Sequence, residues 1–368
     1  MLTVLSVGYS LAAVGPDAVG GSEQVLSALD AALVRAGHRS LVVAPHGSSV
    51  QGTVFTTPKL PAALDDDARR VAQRRMHRAI KEVLQRHSVD LVHMHGLDFH
   101  QYLPPAGVPV LVTLHLPPDW YPDWIFGLNR PQTYLHCVSQ SQARSCPADA
   151  QLLPVIENGV PVDRLEAKHA KRKFALALAR ICPEKGVHCA LEAARIADIP
   201  MIVAGQLFPY AWHKQYYDEE VVPRLDNRRR FIGPIGFTRK RRLLSAAQCL
   251  LVPSLVPETS SLVTMEALAC GTPVIGFPAG ALPEIIEHGK TGFIVENERE
   301  MALAIKETAK LDPEACREAA RTRFSLDRTV QRYFDVYERL IALAQAEKTA
   351  NANAQPAALR ARSVSQAV

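Results

Sequence analysis

The chain has 368 residues, 48% of them apolar and 21% charged, with a formal net charge of +5. That length allows two domains of about 150 to 200 residues, each able to bury its own core. No apolar run reaches the roughly 18 residues of a membrane span. The N-terminus MLTVLSVGYS is too short and too polar for a secretory signal and reads as a first strand. Seven scattered cysteines (137, 146, 182, 189, 249, 270 and 316) form no CxxC pair. Such an odd, unpatterned set argues for reduced thiols and a cytoplasmic location.

The positive charge is clustered in 69–78, 168–173, 227–230 and 238–242. These clusters read as solvated faces, or as contacts to an anionic membrane surface or a phosphorylated acceptor. They lack interleaved aromatic residues for stacking bases, which argues against nucleic acid as a partner.

Apolar runs alternate with helical patterns along the chain, which predicts a parallel α/β architecture. In the first half the strand candidates are 3–7, 40–44, 90–95, 109–115 and 133–139, with 152–160 closing the half. After a basic stretch the alternation restarts at 173–180, 200–205, 230–233, 249–254, 272–277 and 292–295. Two successive series predict two Rossmann-like domains, 1–163 and 170–325, facing each other across a cleft. Ligands of such sheets sit at the carboxyl ends of the strands. An amphipathic helix is expected over 326–345, and the apolar-poor tail 348–368 is expected to be disordered.

In the first connection, Gly20-Gly21-Ser22 precedes a helix with Glu23 in its first turn. Adjacent glycines let backbone approach a ligand closely, so this reads as a loop or a phosphate cradle. Asp65-Asp66-Asp67 contains a literal D-x-D but is better read as an acidic helix start. His93, His95, His100 and His115 lack a completing Cys or carboxylate at ligand spacing, so no metal is expected there. His115 ends its strand just before Leu-Pro-Pro, so its ring should reach the cleft, where a neutral imidazole can contact a sugar hydroxyl. Asp119 and Asp123 read as turn residues or acceptor-side acids, and Trp120, Tyr121 and Trp124 as stacking faces or packing.

In the second half, Arg180 ends a strand and Lys185-Gly186 precedes a helix; both cations read as exposed loop charges or as phosphate ligands. Gly205 ends another strand, and Ile232 and Gly233 follow the next. Between 249–254 and 272–277 lies a short helix with Leu262, Met265, Leu268 and Ala269 at helical spacing, capping candidates Thr259, Ser260 and Ser261, and Gly271 as a stop. Its first amides should face the crevice, where a phosphate would sit. Glu258 and Glu266 frame this turn. Glu266 lies in an apolar helix and needs a partner, either a ligand hydroxyl or a neighbouring cation; Glu258 could be a solvated loop acid.

With Pro253, Ser254, Glu258, Glu266, Ala267, Gly271, Pro273 and Val274, this stretch resembles the Glu-x7-Glu signature of the GT-B glycosyltransferases, specifically the retaining family 4. Ser260-Ser261 departs from it, standing where the family has an aromatic residue and glycine. Arg180 and Lys185-Gly186 resemble that family's R-x-x-x-x-K-G motif, 113–115 its T-x-H segment, and 231–233 its F-x-G segment. The resemblance implies that Arg180, Lys185, Gly21 and the amides of Ser261, Leu262 and Val263 hold a donor diphosphate. It further implies that Glu266 holds the ribose, that Glu258 and His115 contact the transferred sugar, and that Ile232 and Gly233 lie by the base, while Gly205 faces the same cleft from its own strand end on the donor side. Asp119 and Trp120 fall on the acceptor side, and the terminal helix crosses back to the first domain. The expected activity is metal-independent transfer from a nucleotide-diphosphate sugar, UDP ahead of GDP, with no cofactor. An epimerase of the same fold and a non-catalytic sugar-nucleotide binding protein are the alternatives.

Overall fold

A computed structural model describes residues 1–59, 65–167 and 169–365. Among these residues, twelve strands form two all-parallel sheets of six. The first contains β1 (Thr3–Val7), β2 (Arg39–Pro45), β3 (Thr53–Thr57), β4 (Leu91–Met94), β5 (Val110–Leu114) and β6 (Thr133–Cys137). Its order is β3-β2-β1-β4-β5-β6. The second contains β7 (Ala175–Leu178), β8 (Met201–Ala204), β9 (Arg229–Phe231), β10 (Cys249–Val252), β11 (Val274–Gly276) and β12 (Gly292–Ile294), in the order β12-β11-β10-β7-β8-β9. Central strands such as Leu91–Met94 and Cys249–Val252 are buried throughout, as strands covered by helices on both faces must be. In each sheet the order reverses beside the first strand, between β1 and β4 and between β7 and β10. The crevice of a doubly wound sheet opens at such a point.

Three elements differ from the sequence-based expectation. Thr53–Thr57 adds an edge strand beside β2 that its weak apolar content concealed. The stretch 152–160 is not a strand; it makes only isolated bridges, Leu135 to Leu152 and Val160 to Ser325, and serves as the crossing between lobes. The terminal helix runs from Leu326 to Ser365, past the point where disorder was expected, because the segment is rich in alanine, the strongest helix former. Its Tyr333, Tyr337, Leu340 and Ile341 pack with Val4, Leu29, Leu91 and Leu111 against the first sheet.

The basic clusters are not uniformly solvated either. Lys171 donates to Thr272, and burial lowers its ammonium to about 8. Arg229 pairs with Asp226, and Lys240 with Glu266. Asp65 accepts from the Ala68 amide at 2.8 Å, so the D-x-D is a helix cap. Among the described residues no helix is long and apolar enough to cross a membrane.

Candidate active site

The loops after β7 and β10 emerge side by side and lock together. Pro183–Lys185 makes one tight turn, ended by Gly186 at φ +59°. A Cβ on Gly186 would lie 2.1 Å from the Pro253 carbonyl, so only glycine lets the loops meet this closely. The Leu255 amide then donates to the Glu184 carbonyl at 2.8 Å. As a result Lys185 Nζ sits 2.5 Å from Glu258 Oε1, and the Ser254 hydroxyl donates to the same oxygen.

Burial pushes the Glu258 carboxyl up, but the Lys185 ammonium, the Ser254 hydroxyl and the Arg180 guanidinium outweigh it and hold it below the usual range. Glu258 is therefore ionised and nearly enclosed, with 11% of its side chain exposed, and is not a solvated loop acid. Arg180 is half-buried, and among the described residues no side-chain partner holds its guanidinium. Gly205 adopts φ +151°, where a Cβ would lie 1.7 Å from the Ala179 carbonyl, so the loop after β8 presses against the residue preceding Arg180. The Gly205 amide donates to Gly233 at 3.0 Å, and Ile232 to Val203 at 3.0 Å. Arg180, Gly205 and Gly233 thus line up at three neighbouring strand ends.

The helix Leu262–Ala269 begins differently from expectation. None of the three hydroxyl candidates caps it. Thr259 donates to the His115 carbonyl at 2.8 Å, Ser260 accepts from Asn158 at 3.0 Å, and Ser261 bonds the Thr264 hydroxyl at 2.7 Å. Two of these bonds tie the turn to the first lobe. Ser261 takes φ +47°, the left-handed region that glycine would occupy, so the departure from the family pattern is accommodated by local backbone strain. The amides of Leu262 and Val263, first in the helix, have no intrahelical acceptor.

One turn on, Glu266 is 5% exposed and its Oε1 lies 2.5 Å from Lys240 Nζ. Burial pushes this carboxyl up and Lys240 opposes it incompletely, leaving it raised. A neighbouring cation therefore engages one carboxylate oxygen, Oε1, of Glu266. Lys240 was missed because it sits in the basic run 238–242. The available signal was its spacing of four from Leu244, which is fully buried on the same helix face.

The first lobe contributes His115 from the end of β5. Its Nε2 lies 3.0 Å from His95 Nδ1, with the rings stacked at 18°. Burial, then the charge of His136, lowers the imidazole to about 3, so the ring is neutral near pH 7. The Tyr121 hydroxyl accepts from the His115 amide at 3.1 Å and the residue is 4% exposed, so Tyr121 packs rather than offering a stacking face. Trp120 and Trp124 stay outward, at 43% and 55% exposed, and Asp119 is exposed beside Trp120 with no side-chain partner among the described residues. The structure does not draw Asp119 or Trp120 into the cluster. His93 is satisfied by Tyr337 and Thr113 and is structural. Gly21 opens the helix Gly21–Arg35; a Cβ there would lie 3.5 Å from Leu262, so the first-lobe helix start abuts the second-lobe one. The Glu23 carboxylate folds over Gly20 and burial pushes it up.

Comparison with known proteins agrees with this architecture. The family described as Glycosyltransferase Family 4 matches residues 19–164, and the family described as Glycosyl transferases group 1 matches residues 163–323. N-acetyl-alpha-D-glucosaminyl L-malate synthase of Bacillus anthracis is 32% identical over 103 residues, 26% of this chain and 27% of that protein. D-inositol 3-phosphate glycosyltransferase of Mycobacterium marinum is 31% identical over 165 residues, 40% of this chain and 34% of that protein. The chain thus spans about a third or less of the length of these curated relatives. The crystal structure of AviGT4, a glycosyltransferase involved in avilamycin A biosynthesis, superposes with a TM-score of 0.69 at 26% identity, covering 93% of this chain and 98% of that one. Anabaena HepE in complex with UDP and glucose superposes at 0.71 with 21% identity, covering 92% and 100%. Two facing Rossmann-like lobes, matched in turn by these two families, make the chain a glycosyltransferase of the GT-B fold, similar to family 4.

Proposed function

We propose that the chain transfers a sugar from a nucleotide-diphosphate donor to an acceptor with retention at the anomeric carbon. The observation that carries this reading is the Thr259 to His115 hydrogen bond, which brings a neutral imidazole of one lobe to the loop bearing the Glu258–Lys185 pair of the other. Arg180, Lys185 and the Leu262 and Val263 amides supply fixed positive charge to a departing diphosphate, the role a metal ion fills elsewhere. No resident metal or cofactor enters this reading. Glu258 and His115 orient the transferred sugar, Glu266 receives the ribose hydroxyls, and Ile232 and Gly233 lie at the base. Uridine is the preferred base, as in the nucleotide held by Anabaena HepE.

In the transfer, the bond from the anomeric carbon to the diphosphate oxygen breaks. A bond to the acceptor oxygen forms on the same face, and the acceptor proton passes to the leaving phosphate. Lys185→Ala and Glu258→Ala should each lower kcat/KM by about 100-fold or more. Transfer persisting within a few-fold in either pure variant overturns the assignment. Interconversion of donor sugars without acceptor would identify an epimerase, and saturable donor binding with no turnover a binding protein.

A further inference from the structure

The turn carrying Lys185 also brings together three side chains that the transfer does not use. Cys182 stands at the start of Pro183–Lys185, Glu184 within it, and His213 in the helix Ala211–Tyr216 that follows β8. The Cys182 sulfur, a Glu184 carboxylate oxygen and a His213 ring nitrogen all lie within 4.8 Å of one another. Cys182 is 1% and His213 2% exposed. Two polar atoms of the group are orphaned: Glu184 Oε2 and His213 Nδ1 are buried without a hydrogen-bond partner among the described residues. The thiol makes a long contact, 3.8 Å, to the Arg180 carbonyl and faces the Glu184 carboxylate, which helps to hold its proton in place. Buried polar atoms are ordinarily satisfied, so two orphans beside one thiol need an explanation.

We propose that Cys182, Glu184 and His213 bind one divalent transition-metal ion, zinc by preference, which clamps the loop bearing Arg180 and Lys185 to the segment after β8. The donor set decides the metal. Thiolate, imidazole and carboxylate together suit zinc with a fourth position open to water, whereas magnesium and calcium take oxygen ligands. A tetrahedral zinc with these ligands holds their atoms roughly 3.5 Å apart. The three therefore need to close by about 1 Å, a rotamer adjustment open to the half-buried Glu184. The His213 ring is already fixed against Trp212, with centroids 3.9 Å apart, and Tyr210, at 5.1 Å. On binding, the Cys182 thiol gives up its proton to solvent and the sulfur takes the metal as thiolate. This inference stands apart from the donor reading, because the ion bridges two loops and is not placed on the diphosphate.

The test uses the full chain, stripped with a chelator under reducing conditions and titrated with cobalt(II) alone. One equivalent should produce a thiolate-to-cobalt charge-transfer band with visible bands of tetrahedral cobalt, and zinc should displace it. Cys182→Ser should abolish the charge-transfer band and Cys146→Ser should retain it. His213→Gln should weaken affinity by more than about 100-fold, beyond the loss of an outer-shell partner. Absence of the band, or its survival in Cys182→Ser, overturns the proposal. If that variant does not fold, alkylation of the unaltered chain decides: zinc should protect Cys182 from a thiol reagent, and equal modification with and without zinc overturns the site.

Discussion

Acidification should weaken the protein well above the carboxylate range, and His136→Gln should blunt that response. His136 is fully buried in β6, its Nε2 2.7 Å from the Thr113 hydroxyl and its Nδ1 3.0 Å from the Cys137 carbonyl. Burial lowers the imidazole from 6.5 to about 4, with the bond to Cys137 opposing. The unfolded chain accepts this proton below 6.5 while the folded chain excludes it until about 4, so stability present above 6.5 is lost as pH falls through that window. At 1.36 kcal/mol per pH unit per proton, His136 contributes a loss of about 1.3 kcal/mol between about pH 7.5 and pH 5.5.

His93, His95 and His115 are lowered by burial and then by one another and His136. They act in the same sense as His136, so acidification through the histidine range weakens the fold further. Glu23 and Glu266, whose carboxyls burial pushes up, act in the opposite sense, gaining stability as pH falls toward 4.5. The difference between variant and wild type therefore isolates the histidine better than either curve alone. Urea unfolding followed by far-UV circular dichroism at the two pH values should show a drop smaller by about 1.3 kcal/mol in His136→Gln. Equal drops in both proteins would refute the linkage.

Thr259→Val removes the hydroxyl that holds the His115 carbonyl and should cost about 1 kcal/mol of stability. It should also raise the donor KM more than it lowers kcat; unchanged unfolding and kinetics would show that the bond does not hold the lobes together. Because Ser261 sits at φ +47°, Ser261→Gly should stabilise by roughly 0.5 kcal/mol, and Ser261→Val should destabilise by about 1 to 2 kcal/mol. Chemical denaturation giving the reverse order would remove backbone strain as the explanation.

Sequence alone determined the alternation of buried strands and helices, because burial on both faces leaves uninterrupted apolar runs such as Cys249–Val252 and a helix start and stop around Leu262–Ala269. It also marked Arg180, Lys185, Glu258 and His115, at or just beyond strand ends, and Glu266, within the short helix, as chemistry-bearing residues. Their partners could not be read there. Lys240 is 26 residues from Glu266, and Lys185 is 73 from Glu258; which side chains meet is fixed by strand order, and parallel pairing places β7 beside β10 across that interval. Only the tertiary structure decided that Thr259 reaches the first lobe instead of capping its helix, that Ser261 takes a left-handed backbone, and that Cys182, Glu184 and His213 converge. Each depends on contacts between segments distant in the chain, where local propensity carries no information.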